Sequence, residues 1–274
     1  MKFGALTTNL LLVATAAASA SPLSARKQAA MDAFRAKRSL RRSIASGPRA
    51  NNTGGTMDAT SPNWAGVAIS QPGVTEVSGT FIVPQPKMPP GADPNLAHCG
   101  VAWVGIDGWT NGDLIQTGVL WCTYIDNSTF WYPWYEYLPG FITEIDGVNV
   151  TAGSVVYVNA KKTGTNSGIT TLTVDGVTAT HDFTGEEYSL PGTSAEWIVE
   201  DYELSLGGPP YAPFADFGTV TFTGATAVVN GTTITPGEGE WLIVDLDQGN
   251  GPITSSSFSG STVTVNYISD LGGN

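Results

Sequence analysis

The sequence predicts an all-β fold, a single β-sandwich domain over residues 59–274, and three observations carry that prediction. From Ser61 onward the chain is dense in Gly, Thr, Val and aromatic residues. Turn-forming residues recur every eight to twelve positions, and no stretch shows three turns of amphipathic helix. So many short segments with antiparallel character in one domain-sized length suit a sandwich better than a layered α/β fold.

The elements follow in chain order. Residues 1–20 run from Lys2 through Leu10-Leu11-Leu12-Val13 to Ala18-Ser19-Ala20: a positive start, a short apolar core and a small-x-small cleavage site. That is the pattern of a secretory signal peptide, so export and an extracellular location are expected. Its apolar core is too short to cross a bilayer, and no later segment reaches about 18 uninterrupted apolar residues, so no membrane span is expected.

Charge then divides the chain. Residues 21–58 hold eight Lys/Arg and two Asp, whereas residues 59–274 hold three Lys, no Arg and 22 Asp/Glu. The basic part is Ala-rich from Ala25 to Ile44, with Met31, Phe34 and Leu40 at helical intervals, and reads as a removable prosegment. A disordered linker or a nucleic-acid-binding arm would show similar charge, but an exported chain argues against nucleic acid. A cationic helix on an anionic domain is held by complementary potential, and that hold fades as carboxylates protonate. Acid-triggered release follows as an expectation, with dibasic Lys37-Arg38 and Arg41-Arg42 and the polar stretch Asn51–Ser61 as places to cut. The acidic domain has few salt bridges to lose near pH 4, and its self-repulsion falls there, so it should tolerate acid better than neutrality.

Strands are expected at Trp64 to Ile69, Val74 to Val83, Val101 to Asp107, Leu114 to Thr123, Thr129 to Tyr137, Ser154 to Lys161, Gly168 to Val174, Val177 to Phe183, Ala195 to Glu203, Thr219 to Thr223, Thr232 to Thr235, Glu240 to Asp245 and Ser261 to Ile268. Each is a β-branched or aromatic run bounded by turn residues. The chain has two cysteines, Cys99 and Cys122, and an exported chain with an even number favours a disulfide. If 101–107 and 114–123 form a hairpin with Asp107 opposite Leu114, Cys99 falls opposite Cys122. In that register Cys99, Trp103, Asp107, Gln116 and Cys122 share one face. By the same alternation Glu196, Ile198, Glu200 and Tyr202 share a face of the later strand, while Trp197 and Val199 enter the core. Sequons at Asn51, Asn127, Asn149 and Asn230 mark surface loops open to glycosylation.

Charge occupies only 13% of the chain, yet Ala195-Glu196-Trp197-Ile198-Val199-Glu200-Asp201-Tyr202-Glu203 gathers four carboxylates among apolar residues. The two histidines, His98 and His181, read as ordinary surface residues, which disfavours Ser-His-Asp and Cys-His chemistry. Zinc and nucleotide spacings are absent, so neither metal nor cofactor is expected. Carboxylates, amides and tyrosines remain as reactive groups.

Asn63-Trp64-Ala65-Gly66, Ala102-Trp103-Val104-Gly105-Ile106-Asp107-Gly108, Leu114-Ile115-Gln116-Thr117-Gly118, Trp134-Tyr135-Glu136-Tyr137, Ala195-Glu196-Trp197-Ile198-Val199-Glu200-Asp201 and Pro213-Phe214-Ala215 occur in the order and approximate spacing of the glutamic peptidases, the eqolisins. The resemblance covers nearly all of residues 61–268. It implies a sandwich of two curved antiparallel sheets of concanavalin A-like form, made as a zymogen, and a secreted, acid-acting, pepstatin-insensitive endopeptidase. It places the catalytic glutamine on Gln116 and the catalytic glutamate on Glu200, with Trp64, Trp103, Asp107 and Glu136 in support. Two positions depart from the family pattern: Tyr132 stands where similar chains carry an acid, and Leu206-Gly207-Gly208-Pro209-Pro210 lacks a second disulfide.

The implied chemistry is physically coherent. Glu200 as carboxylate takes a proton from a water that attacks the scissile carbonyl, and later returns it to the leaving amine. Gln116 cannot be a base, but its NH2 can donate to the oxyanion while its C=O orients the water. An ordinary Glu titrates at about 4.3, and neutral pH favours the base form. Loss of activity at neutrality must therefore come from destabilisation or from other titrating groups. Protein substrates, the chain's own prosegment as inhibitor, and a monomer are expected. The alternatives are a glycoside hydrolase using Glu136 and Glu200, and a carbohydrate-binding module. Structural readings also stand: Trp64 and Trp103 as core, and Asp107 as an Asx-turn residue.

Overall fold

In the computed structural model the described residues are 25–32, 58–109, 111–202 and 211–269. The signal peptide, most of the prosegment with its cutting sites, the Asn51 sequon and the 206–210 loop lie outside them. In chain order a helix α1 over residues 25–32 precedes β1 (Asp58–Ser61), β2 (Trp64–Ser70), β3 (Val74–Ile82), β4 (His98–Ile106), β5 (Ile115–Thr123), β6 (Thr129–Tyr137), β7 (Thr143–Glu144) and β8 (Val155–Gly164). There follow β9 (Ser167–Val174), β10 (Val177–Thr184), β11 (Ser194–Glu200), β12 (Thr219–Val229), β13 (Thr232–Ile234), β14 (Trp241–Leu246), β15 (Thr254–Ser259) and β16 (Thr262–Tyr267). The first sheet has the order β1-β14-β2-β11-β4-β5-β6-β7, and the second β10-β9-β8-β3-β12-β16-β15 with β13 beside β12. Pairing is antiparallel except between β1 and β14, which run parallel.

The turns explain themselves locally. Asp175-Gly176 and Asn230-Gly231 join β9 to β10 and β12 to β13 with positive φ at both residues of each pair. That is the geometry of a tight hairpin whose twist matches its strands.

The two sheets differ in what covers them. On the second, β9 alternates buried with partly buried residues as a one-sided strand does. On the first, every residue of β4, β5 and β11 is buried, so both faces of this sheet are covered. One face meets the second sheet in a core that includes Val104, Val119, Trp197, Val199, Phe81 and Phe222. There Trp197 Nε1 donates to Ser78 O at 2.8 Å, tying the sheets together. The opposite face carries a second apolar cluster, with Trp64, Trp103, Leu120, Tyr132, Trp134 and Ile198, joined by Trp109 and Leu114 from the β4–β5 loop and by Ala30 and Met31 of α1.

Close backbone contact in the first sheet depends on glycine. A Cβ on Gly66 would lie 2.0 Å from Trp197 O, and one on Gly118 would lie 2.1 Å from Ala102 O. Any side chain at either position would force neighbouring strands apart. The glycines of the Asn-Trp-Ala-Gly and Gln-Thr-Gly runs therefore have a packing reason to be there.

The structure has three strands that the sequence reading lacks: β1, β7 and β15. It also continues β12 to Val229 past a register irregularity between Thr223 and Thr226. The hairpin register agrees with expectation: Cys99 pairs with Cys122 and Gly105 with Gln116. The two cysteines form a disulfide across it.

Candidate active site

Strands β11, β4, β5 and β6 lie side by side, and their registers set three rows of residues on the outer face of the first sheet. Glu196, Gly105, Gln116 and Glu136 form one row; Ile198, Trp103, Gly118 and Trp134 the next; Glu200, Val101, Leu120 and Tyr132 the third. The alternation that sends Trp197 and Val199 inward is what turns Glu196 and Glu200 to this face. Gln116, Glu136, Glu196 and Glu200 are all fully buried.

Glu200 is held by two donors. Trp103 Nε1 donates to Oε2 at 2.9 Å, and Asn63 Nδ2 donates to Oε1 at 3.4 Å. Trp64 packs edge-on against Trp103 with ring centroids 4.9 Å apart, so the indole that grips Glu200 is itself braced. The chain beyond Glu200 is pinned by Asp201, whose N–H donates to Asn63 O at 2.8 Å and whose Oδ2 accepts from Gln248 Nε2 at 2.7 Å.

Gln116 is oriented separately. Its Nε2 donates to Glu136 Oε2 at 2.6 Å, which fixes the amide's orientation because a carboxylate offers only acceptors. Its Oε1 is buried without a hydrogen-bond partner. No direct bond joins Gln116 to Glu200. They share a face two strands apart, four residues out of register. Glu136 thus stands in the row of Gln116.

Asp107 is not an Asx-turn residue. Its buried carboxylate accepts from Gly192 N, Thr193 N and Thr193 Oγ1, each at 2.8 Å, and from Asn111 Nδ2 at 3.2 Å. It clamps the β4–β5 turn to the segment entering β11. The turn itself is capped by Asn111, whose Oδ1 accepts from Gly108 N at 3.0 Å and Asp113 N at 3.1 Å.

Burial pushes the Glu196 carboxyl well above the ordinary carboxylate range; the Ser194 hydroxyl opposes this and the Asp107 charge adds to it. His98 is not a surface residue. It is buried, with Nδ1 3.2 Å from Phe214 O and Nε2 3.3 Å from Asp93 O, so it braces loops where the sequence shows only a polar residue beside a cysteine. His181 is half-buried and stacks on Tyr135 at 4.0 Å. Among the described residues no three His, Cys, Asp or Glu side chains converge as metal ligands would, and no helix is long and apolar enough to cross a membrane.

Residues 62–267 match the Peptidase A4 family. The chain belongs to that family. This chain is 35% identical to aspergillopepsin-2 of Aspergillus niger over 233 residues, 78% of its own length and 80% of that protein's. It is 30% identical to scytalidopepsin B of Scytalidium lignicola over 214 residues, 75% and 78% of the two chains. Among solved structures it resembles scytalido-glutamic peptidase bound to a transition-state analogue inhibitor, with a TM-score of 0.66 and 29% identity over 76% of this chain and 98% of that one. It also resembles aspergilloglutamic peptidase from Aspergillus niger, with a TM-score of 0.56 and 38% identity over 62% and 99%. As a member of the Peptidase A4 family the protein is a glutamic peptidase, which decides between the proteolytic reading and the two sugar-directed ones.

Asn63 and Glu196 have no role in the sequence reading. Alternation already places Glu196 on the face of Glu200, and Asn63 opens the Asn-Trp motif, but neither signal names a contact.

Proposed function

We propose that the protein is a secreted, pepstatin-insensitive endopeptidase that hydrolyses peptide bonds of proteins in acid, with Glu200 as general base and then acid, and Gln116 as oxyanion donor. The observation that carries this reading is the free oxygen of an oriented amide: Gln116 Oε1 has no partner while Nε2 spends one of its two hydrogens on Glu136. The remaining N–H and the carbonyl are available to an oxyanion and to a water. Trp103 and Asn63 donate to Glu200 and orient its carboxyl toward the face on which a water would be activated. The signal-peptide pattern of residues 1–20 supports export.

The prosegment reading has support of its own. Met31 and Ala30 are buried in the apolar cluster on the catalytic face. Arg26 pairs with Asp126, lies 5.0 Å over the Tyr124 ring and receives a hydrogen bond from Tyr124 Oη at its carbonyl, 3.1 Å. Lys27 Nζ lies 3.5 Å from Glu144. In this reading the contacts of α1 hold the prosegment on the domain until it is cut. The Ser128 hydroxyl, then Arg26, hold the Asp126 carboxyl down to about 2.

The deciding experiment compares processed wild type, Glu200→Gln and Gln116→Ala on a denatured protein substrate across pH 2 to 7 with pepstatin present. Removing the base should lower kcat by about 10²- to 10⁴-fold, and removing the oxyanion donor by about 10²- to 10³-fold. Undiminished cleavage by either folded variant refutes the dyad.

A further inference from the structure

The mechanism makes no use of Glu196, although it stands in the same row as Gln116 with only Gly105 between them. It is fully buried, and neither carboxyl oxygen makes a well-formed hydrogen bond; the Ser194 hydroxyl beside it is the one group that favours its charged form, and burial outweighs it. A carboxylate in such a place would be costly, and a neutral carboxylic acid far less so.

The groups that face it come from every neighbouring strand. Glu200 and Ser194 lie on its own strand, Asp107 at the end of β4, Gln116 on β5 and Glu136 on β6. On the other side Ala68 of β2 is its direct partner, with Leu242 of β14 next in line. None of these is a cation. The lysines of the domain are elsewhere: Lys161 pairs with Glu76 on the second sheet, Lys162 follows it on β8, and the backbone of Lys87 pairs with that of Asp216.

The link from Glu196 to the chemistry runs through Trp103. The space where a Gly105 side chain would stand is taken by Leu114 Cδ1, 2.8 Å from the ideal Cβ, and by Trp103 Cζ3 at 2.9 Å. The far side of the same indole donates to Glu200. Water drawn in to solvate a charge on Glu196 would have to displace the ring that orients the base.

We propose that Glu196 is a positioning residue that works as a neutral acid, its proton keeping the floor beneath Trp103 dry, and that losing this proton as pH rises releases Trp103 from Glu200 and ends activity. The proposal rests on the dyad reading and supplies the titrating group that a glutamate base cannot provide. Desolvation raises its pKa, and Asp107 adds to the rise. The sign follows: with the folded pKa above the unfolded one, the group's contribution to stability is fully present below about pH 4.3 and is lost as pH climbs toward the folded value. Across that window each pH unit lowers the folded-to-unfolded ratio tenfold from this group.

The test is Glu196→Gln in the processed enzyme, with kcat and thermal midpoint measured from pH 3 to 8. Activity at pH 3 to 4 should stay within about threefold of wild type, the alkaline limb of kcat should move up by at least one pH unit, and the midpoint should fall less steeply toward neutrality. Glu196→Met, also neutral and of similar length, should do the same, and serves if Gln does not fold. Glu196→Asp, which still titrates, should keep an alkaline limb. An alkaline limb and midpoint profile unmoved in both neutral variants overturn the proposal. If wild type has no proteolytic activity, the dyad reading fails, while the midpoint profile and tryptophan fluorescence against pH still decide the role of Glu196.

Discussion

Asp107→Asn should destabilise the domain by about 3–5 kcal/mol while leaving its backbone in place. The carboxylate accepts three bonds at Oδ1 and one at Oδ2. An asparagine that keeps its oxygen toward Thr193 and Asn111 must present its NH2 to Gly192 N–H, setting donor against donor. The loss is one charge-assisted bond, about 1.5–3 kcal/mol, and a buried N–H left without an acceptor, about 1–3 kcal/mol. Asp107 has φ 70°, a conformation asparagine also adopts readily, so backbone strain does not enter. For a domain of this size 1 kcal/mol shifts the midpoint by about 2–4 °C, which places the expected fall at about 6–20 °C. Thermal unfolding at pH 4, followed by near-UV circular dichroism, reads it directly. A change below about 1 kcal/mol would refute the view that this carboxylate clamps β11 to the β4–β5 turn.

Trp103→Phe keeps most of the ring's burial but removes the indole N–H that orients Glu200. Losing a bond worth about 1.5–3 kcal/mol should cut kcat by about 10- to 100-fold with KM little changed, and steady-state kinetics on a peptide substrate checks it. Met31→Asp places a charge in the apolar cluster beneath α1. Forfeiting about 1.5–3 kcal/mol of apolar burial should speed conversion of the precursor at pH 4 to 5 by at least tenfold, followed by gel, and leave the processed enzyme unaltered.

The parts of this fold legible in the sequence are those set by local pattern. Alternation from Ala195 to Glu200 separates the face that carries Glu200 from the core face, and the two cysteines fix the register of the β4–β5 hairpin. The strands that escape are those that local pattern does not describe. β15 reads Thr-Ser-Ser-Ser-Phe-Ser and has the composition of a loop, becoming a strand by pairing with β16. β7 is two residues paired to β6, and β12 continues past Gly224, whose positive φ accompanies the irregularity against β3. The acceptor role of Asp107 was hidden for a related reason: its main partners are some 85 residues away in sequence. Nothing in the sequence near Asp107 distinguishes a turn-capping aspartate from a tertiary clamp. The roles of Glu196 and Glu200 could not be separated either, because both lie on one face and differ only in what the rest of the fold brings to them. Glu200 receives Trp103 and Asn63, whereas Glu196 has only the Ser194 hydroxyl beside it.

That difference bears on how one sheet can run acid and base chemistry with so few cations. Had Gln116 donated directly to Glu200, the space between amide and carboxylate would be closed and a water would have to break a bond to enter. Instead each is oriented by a partner of its own, Glu136 for the amide and Trp103 for the carboxylate, and the oxygen of the amide remains unpaired. Holding groups from behind costs little reorganisation at the moment of reaction, which is the condition under which fixed dipoles stabilise a developing charge most. It also makes the site depend on residues that never meet substrate. An indole orients Glu200, a second indole braces the first, and the ring edge away from Glu200 lies over the backbone that pairs with Glu196. Under the role proposed for Glu196, protonation of that buried carboxyl is the least costly way to keep the assembly dry, and an acid medium would supply the proton.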